Sequence, residues 1–415
     1  MTSVLEPTTD ASAQLGPAPA YGPKAAVAKA VLGRILRKVP VTVRLVTGEV
    51  YGAPPAPDTP AIRIEHPRAF YARLADSPLI GLGESYMAGE WTPEPGTDLA
   101  DALAPFAERL TDLIHPFWYR LRHAVLPRGL NPDNDKHGAR RNIEAHYDLS
   151  NDMFASFLDP TLSYSSALFD VLEPAPTLAD LEEAQVRKVD AVLDLAEVGR
   201  GDRVLEIGTG WGTLAIRAAE RGAHVTTLTL SREQAELAQQ RVDAAGVGDR
   251  VEIALRDYRD QHGEFDAVVS VEMIEAVGER YWPRYFAKID EVLAPGGKAA
   301  IQAILLEHHR VEATRDTYTW IHKYIFPGGM LPSVRAIDDT LREHTTLRTS
   351  AVAPMGSHYA HTLRLWREQF LTSWPDVARL GFDLRFRRMW EFYLAYCEAG
   401  FRTGYLDVAQ LRIER

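Results

Sequence analysis

The chain has 415 residues, of which 46% are hydrophobic and 25% charged, and its formal net charge is −11. That is a globular composition with room for a large domain and a smaller one, and no apolar run approaches the roughly 20 residues a membrane helix needs. The acidic balance argues against general nucleic-acid binding. The single cysteine, Cys397, excludes an intrachain disulfide and a cysteine-based metal cluster, so no metal site is expected.

The first 23 residues are rich in Ala, Pro and Thr and carry no apolar signal-peptide core; they read as a disordered tail on a cytoplasmic protein. Between Asp10 and Glu49 there is no acidic residue, while Lys24, Lys29, Arg34, Arg37, Lys38 and Arg44 all fall there. A basic, partly amphipathic segment on an acidic chain fits contact with anionic lipid headgroups as well as it fits a solvated helix face. A helix is expected over Lys24–Lys38, followed by β-structure over Val41–Val50 and Ala61–His66. A further helix is expected over Asp98–Ile114, with Asp98 as its N-cap and Pro105 kinking or dividing it. The polar stretch Pro127–His137 reads as a linker, giving a mixed α+β N-terminal domain at 24–126, a linker at 127–140 and a larger domain at 141–415.

In the larger domain, helices are predicted over Leu181–Ala196, Thr213–Arg221, Arg232–Ala245 and Trp282–Val292. Strands are predicted over Arg203–Ile207, His224–Leu230, Val251–Leu255, Phe265–Val271 and Lys298–Leu305. Strands alternating with helices of this length indicate βαβ units, hence an α/β fold around a parallel sheet covered on both faces.

The segment Val204-Leu-Glu-Ile-Gly-Thr-Gly-Trp-Gly212 places Gly208, Gly210 and Gly212 between a strand and a helix. Glycines there let the backbone approach a ligand at the carboxyl end of the first strand. The third glycine comes one residue too early for a dinucleotide fingerprint. Glu206 would sit badly beside a pyrophosphate but suits a cofactor with cationic sulfonium and ammonium groups, which is S-adenosylmethionine; Thr209 and Gly212 belong to the same turn. The second strand ends without the acidic residue that often holds ribose hydroxyls, and Thr229 and Gln234 are the polar groups that stand in for it.

Several collinear segments resemble the cyclopropane-fatty-acyl-phospholipid synthases and the related mycolic and tuberculostearic acid methyltransferases. They are His146-Tyr-Asp-Leu-Ser-Asn-Asp-Met-Phe154, Leu158-Asp-Pro-Thr-Leu-Ser-Tyr-Ser165, the cofactor turn and Leu228-Thr-Leu-Ser231. Ser270-Val-Glu-Met-Ile-Glu-Ala-Val-Gly278, Lys323-Tyr-Ile-Phe-Pro-Gly-Gly-Met-Leu-Pro-Ser333 and Tyr393-Leu-Ala-Tyr-Cys397 follow. Gly81-Leu-Gly-Glu-Ser-Tyr-Met-Ala-Gly-Glu-Trp91 is similar to the extra N-terminal domain of the phospholipid-acting enzymes. The resemblance implies a Rossmann-like class I methyltransferase fold with a mostly parallel seven-stranded sheet at 141–415, and a lipid- or membrane-associated domain at 24–126. It also implies methyl transfer from S-adenosylmethionine to the cis double bond of an oleoyl-type phospholipid acyl chain. The resulting cation would lose a proton either to close a cyclopropane or, after a hydride shift, to leave a methylene that a separate reductase partner could saturate.

By this resemblance Tyr164, Ser165, Gly208, Gly210, Thr229 and Gln234 contact the cofactor, with Asp257 and Tyr258 near the adenine. A bicarbonate ion, held by Cys, Glu, His and Tyr side chains, is the proton acceptor in the cyclopropane synthases. Glu275 and Tyr359 match two of those positions, while Ser166 and Gln302 stand where Cys and His are usual. Gln cannot become cationic, so a fixed anion would lose charge assistance. The strings around Glu275 and Gln302 look more like the tuberculostearic type, which favours the methylene product.

Each candidate also has a plainer reading. Glu275 could complement a helix dipole, and Tyr359 could be a half-buried aromatic. Cys397 occupies a position where the family offers a reactive cysteine, yet its neighbours read as a buried helix, in which thiols are usually inert. The expected enzyme is cytoplasmic and peripherally bound to the inner face of the membrane, and a homodimer is compatible with it. The alternatives are a cyclopropane-forming enzyme, a methyltransferase for a soluble small molecule, and a lipid-binding protein that has lost the chemistry.

Overall fold

The computed structural model describes residues 15–113 and 150–415. The expected linker and His146 lie outside the described residues. Two compact units are present. One joins the described N-terminal residues to Asp316–Pro327 and Trp374–Tyr405; the other holds residues 150–315, Gly328–Ser373 and Leu406–Arg415.

The smaller unit contains a four-stranded sheet of β1 (Thr42–Leu45), β2 (Val50–Gly52), β3 (Ala61–Ile64) and β4 (Trp91–Pro93), in the order β2-β1-β3-β4. The basic helix runs over Pro23–Ile35, and Leu99–Leu113 is one helix that continues through Pro105, with the Asp98 carboxylate accepting the Ala100 N–H at 2.8 Å. The Gly81–Trp91 motif has a packing explanation. A Cβ at Gly83 would lie 2.5 Å from the Trp320 ring, Trp320 packs edge-on to Phe392 at 4.9 Å, and Lys323 and Tyr324 both donate to Glu84. These aromatic and polar contacts draw two late segments of the chain to the N-terminal residues, where the sequence alone suggests a single cut at 127–140.

The larger unit is built on seven strands: β5 (Arg203–Ile207), β6 (His224–Thr229), β7 (Val251–Leu255), β8 (Phe265–Val271), β9 (Leu293–Leu305), β10 (Arg348–Pro354) and β11 (Asp407–Glu414). Their order is β10-β11-β9-β8-β5-β6-β7. The first five in the chain are mutually parallel, and β11 and β10 are antiparallel additions at one side. One apolar cluster, with Val189, Val192, Ala215, Ala218 and Val242, covers one face, and another, with Phe286, Ile289, Ile337 and Leu341, covers the other. Both faces are therefore buried, which explains the continuous apolar runs Val204-Leu205 and Ala267-Val268-Val269.

The helix over Leu178–Leu195 begins a turn earlier than its apolar pattern suggests, because the Asp180 carboxylate accepts the Thr177 N–H at 2.8 Å and closes a capping box. Strand order reverses between β5 and β8, which pair in register from Val204↔Ala267 to Ile207↔Ser270. Ligands of open α/β sheets bind outside the carboxyl ends of the strands at such a switch point. Among the described residues no helix is long and apolar enough to cross a membrane.

Candidate active site

A cavity opens at that switch point, walled by the β5 turn, the ends of β6 and β8 and the segment Leu162–Ser165. Gly208, Gly210 and Gly212 have φ of 104°, 52° and 89°, the left-handed region that glycine enters without strain. Gly208 is also sterically required, since a Cβ there would lie 2.6 Å from Met273. Thr209 accepts from the Thr227 hydroxyl at 2.7 Å, which pins the turn to β6.

Glu206 is buried at the cavity wall, and its Oε2 has no hydrogen-bond partner. Burial pushes its carboxyl up to about 8, with Thr227 and Lys188 opposing the shift. An orphaned carboxylate oxygen at a cavity wall is costly unless a cationic ligand meets it, and the ammonium of S-adenosylmethionine is such a group. The Thr229 hydroxyl donates to Gln234 Oε1 at 3.0 Å and accepts the Ser231 N–H at 3.1 Å, so the Gln234 amide NH2 is the donor left on the wall. Tyr164 packs at 5.1 Å from Phe154 and 5.3 Å from Trp366, while Ser165 accepts from Lys188 Nζ at 2.6 Å. The Asp257 carboxylate is engaged by Arg259, through its backbone N–H, Nε and Nη2. Tyr258 sits beside it, its phenol pushed up to about 12 by burial and therefore un-ionised. All eleven expected cofactor residues except Gly212 line this one cavity, and Gly212 caps the helix that follows the turn. The residues present fit S-adenosylmethionine.

Beyond the cavity wall lies a buried polar cluster centred on Glu272. Its Oε1 accepts from the Ser166 N–H at 2.9 Å and from Gln302 Nε2 at 2.8 Å, and its Oε2 from the Tyr359 hydroxyl at 2.7 Å. Burial raises its pKa, and these three hydrogen bonds work against the rise. Ser166, Gln302 and Tyr359 thus converge, but on Glu272. Glu275 points its Oε1 at the Ile304 N–H, leaves Oε2 without a partner, and has a pKa of about 8 through burial and the nearby Glu272 charge. The donors of the expected bicarbonate set are committed: the Gln302 amide nitrogen also donates to the Ser166 carbonyl at 3.4 Å, and the Ser166 hydroxyl donates to the Ala167 carbonyl. The cluster does not fit a bicarbonate ion.

Two residues of this site escape the sequence reading. Lys188 is a helix residue whose spacing marks only a buried face, yet its ammonium lies among Glu272, Asp159 and Glu206, with burial lowering its pKa to about 8. Glu272 lies one residue past β8, and that position at the switch point is the signal that could have singled it out. Cys397 belongs to the smaller unit, on the helix Leu384–Arg402. The residue is half-buried overall, but its thiol is enclosed and pushed up to about 12, the opposite of activation.

The strand order and a cofactor cavity at the β5/β8 switch point define a class I S-adenosylmethionine-dependent methyltransferase. A solved mycolic acid cyclopropane synthase, CmaA1 complexed with SAH and CTAB, superposes with a TM-score of 0.60 at 29% identity, covering 66% of this chain and 98% of that one. The chain belongs to the mycolic acid cyclopropane synthetase family, whose profile matches residues 134–411. It is 52% identical over 402 residues to the tuberculostearic acid methyltransferase UfaA1 of Mycobacterium tuberculosis, covering 95% of this chain and 93% of that protein. It is also 36% identical over 361 residues to the cyclopropane-fatty-acyl-phospholipid synthase of Escherichia coli, covering 85% and 87%.

Proposed function

We propose that the protein methylates the cis double bond of an unsaturated phospholipid acyl chain and releases a methylene-branched product, the precursor of a 10-methyl, tuberculostearic-type chain. The observation that carries this reading is the adjacency of the cofactor cavity and the buried Glu272 cluster, which share Glu272 in their wall. An alkene has no proton to lose before it attacks a methyl group; the proton leaves afterwards, from the methyl itself or a neighbouring carbon. Such a reaction needs a proton acceptor beside the methyl donor, in a site closed to water.

S-adenosylmethionine, when bound, supplies an electrophilic methyl group. Glu206 would hold its ammonium, and Thr229 and Gln234 its ribose hydroxyls. Tyr164, which lines the cavity and is backed by Phe154 and Trp366, would exclude water and offer a π face to a substrate cation. The lack of an imidazole at Gln302 and the name of the 52%-identical relative favour the methylene product over the ring. A separate reductase would then saturate it.

The N-terminal helix is read as a peripheral contact for an anionic membrane surface. Supporting this are its Lys24, Lys29 and Arg34 and the exposure of Val27 and Val31, at 62% and 39%.

The test is expression in cells supplied with oleate, followed by mass spectrometry and NMR of the fatty-acid esters. Vinylidene protons on a chain one carbon heavier are the expected result. Cyclopropane protons without vinylidene signals would overturn the methylene product, and an unmodified lipid pool would overturn the substrate class.

A further inference from the structure

We propose that Glu272 is the proton acceptor of the reaction, a carboxylate built into the chain at the place where a bicarbonate ion would otherwise be recruited. The inference rests on the reading of the protein as an alkene methyltransferase.

Three donors surround one carboxylate. Ser166 N–H and Gln302 Nε2 both end on Oε1, at 2.9 and 2.8 Å, and the Tyr359 hydroxyl ends on Oε2 at 2.7 Å. A carboxylate carries the same planar pair of oxygens as bicarbonate, and these donors favour its ionised form against the burial that raises its pKa. Oε2, with one of these donors against two on Oε1, keeps acceptor capacity. Glu272 is also part of the cofactor cavity wall, so the acceptor and the methyl donor share one enclosure.

The backbone supplies a second, independent observation. Glu272 has φ of 52°, in the left-handed region, although it is not a glycine. A non-glycine residue is strained there and keeps that conformation where the surroundings over-determine it, which is characteristic of functional sites. Its N–H donates to the Gln302 carbonyl at 2.7 Å, so the same neighbour fixes both backbone and side chain.

The sulfur–methyl bond breaks as one alkene carbon bonds the methyl, leaving the cation on the other alkene carbon. A hydride moves from the methylated carbon to that neighbour, placing the cation at the branch. A C–H bond of the new methyl then breaks, its electron pair forms the C=CH2 bond, and its proton goes to Glu272 Oε2, giving a neutral carboxylic acid.

The test compares wild type, Glu272→Gln and Glu272→Gly in carbonate-free buffer and with added bicarbonate or formate, using oleoyl-phospholipid vesicles. 13C-bicarbonate binding is followed by NMR and cofactor binding by calorimetry. Glycine accepts the local φ, so the second variant should fold without strain while emptying the cradle. Wild type should turn over equally with and without bicarbonate and should not bind it. Glu272→Gln should lose at least about a hundredfold in turnover with cofactor affinity kept. Glu272→Gly should bind bicarbonate and recover turnover with it. Bicarbonate-dependent wild-type turnover, an active Glu272→Gln, or a folded, cofactor-binding Glu272→Gly that no anion rescues would each overturn the proposal. If wild type methylates no acyl lipid, the functional reading fails instead. The bicarbonate-binding comparison then still judges the cradle: binding by wild type overturns it, and binding by Glu272→Gly alone upholds it.

Discussion

Gln410 fixes the direction of the Gln302 amide. The two residues face each other across the β9/β11 pair, and Gln410 Nε2 donates to Gln302 Oε1 at 3.1 Å, which turns the Gln302 nitrogen toward Glu272 at 2.8 Å. Gln410 is itself held by the Lys188 carbonyl at 3.1 Å. A reversed Gln302 amide would set an oxygen against a carboxylate, so the cluster depends on Gln410, four positions before the end of β11.

Gln410→Leu should therefore lower turnover with little effect on cofactor binding, and Tyr359→Phe should do the same more strongly. A hydrogen bond to a charged group contributes about 1.5–3 kcal/mol, so a loss of roughly tenfold or more in kcat is expected for Tyr359→Phe. Calorimetric cofactor affinity beside kcat separates the outcomes. Equal losses in both would remove these residues from the chemistry.

Glu206 should couple cofactor binding to protons. Its carboxyl, raised to about 8 by burial, must ionise to meet an ammonium. Binding in the neutral range should therefore release a proton and tighten as pH rises toward 8. Calorimetry in buffers of different ionisation enthalpy reads that proton directly. Glu206→Gln should bind at least about tenfold more weakly and show no such release. An unchanged proton count would place the cation elsewhere.

Glu275 should make the folded protein less stable as pH rises. Its folded pKa of about 8 exceeds the ordinary 4.5, so between those values the folded chain holds a proton that the unfolded chain has released. Stability contributed by the protonated group is present at low pH and is lost as pH climbs through the folded value. Glu275→Gln keeps an acceptor for the Ile304 N–H and cannot ionise. Its melting temperature should exceed that of wild type by more at about pH 8.5 than at about pH 5. An equal difference at the two pH values would mean that Glu275 is ionised at both.

The basic helix and the turn that follows it should bind anionic vesicles. Lys29 is tied to Glu49 at 3.3 Å, so Lys24, Arg34, Arg37 and Lys38 are the charges to neutralise. Each is worth about 1 kcal/mol near an anionic surface, so the fourfold Gln variant should bind more than about tenfold more weakly at low salt. The difference should vanish at about 0.5 M salt, where screening is short-ranged. Equal binding of the two proteins in a sedimentation assay would leave the helix a solvated face.

The alternating apolar strands and helices from Arg203 to Leu305 and the glycine turn were legible because their signals are local. A buried parallel strand writes itself as an apolar run, and a tight cofactor turn writes itself as glycines. The capping box at Thr177 and Asp180 was equally local and could have moved that helix start by a turn. The antiparallel β10 and β11 were not legible. β10 is almost wholly exposed, so its residues carry little alternation, and β11 pairs with a strand about a hundred residues earlier.

By itself, then, the sequence determined the class of cofactor site and its place after the first strand of the sheet, since chain neighbours build that turn. Only the tertiary structure decided which carboxylate stands at the centre of the chemistry. Glu272 and Glu275 lie three residues apart and look alike in the sequence, but one leaves β8 in a left-handed conformation and the other sits in the turn of helix that follows. Their fates are set by Ser166, Gln302, Tyr359 and Ile304, residues brought to them from elsewhere in the chain. A hydrogen bond is short-ranged and directional, so its partner is fixed by where the fold places the donor and not by spacing along the chain.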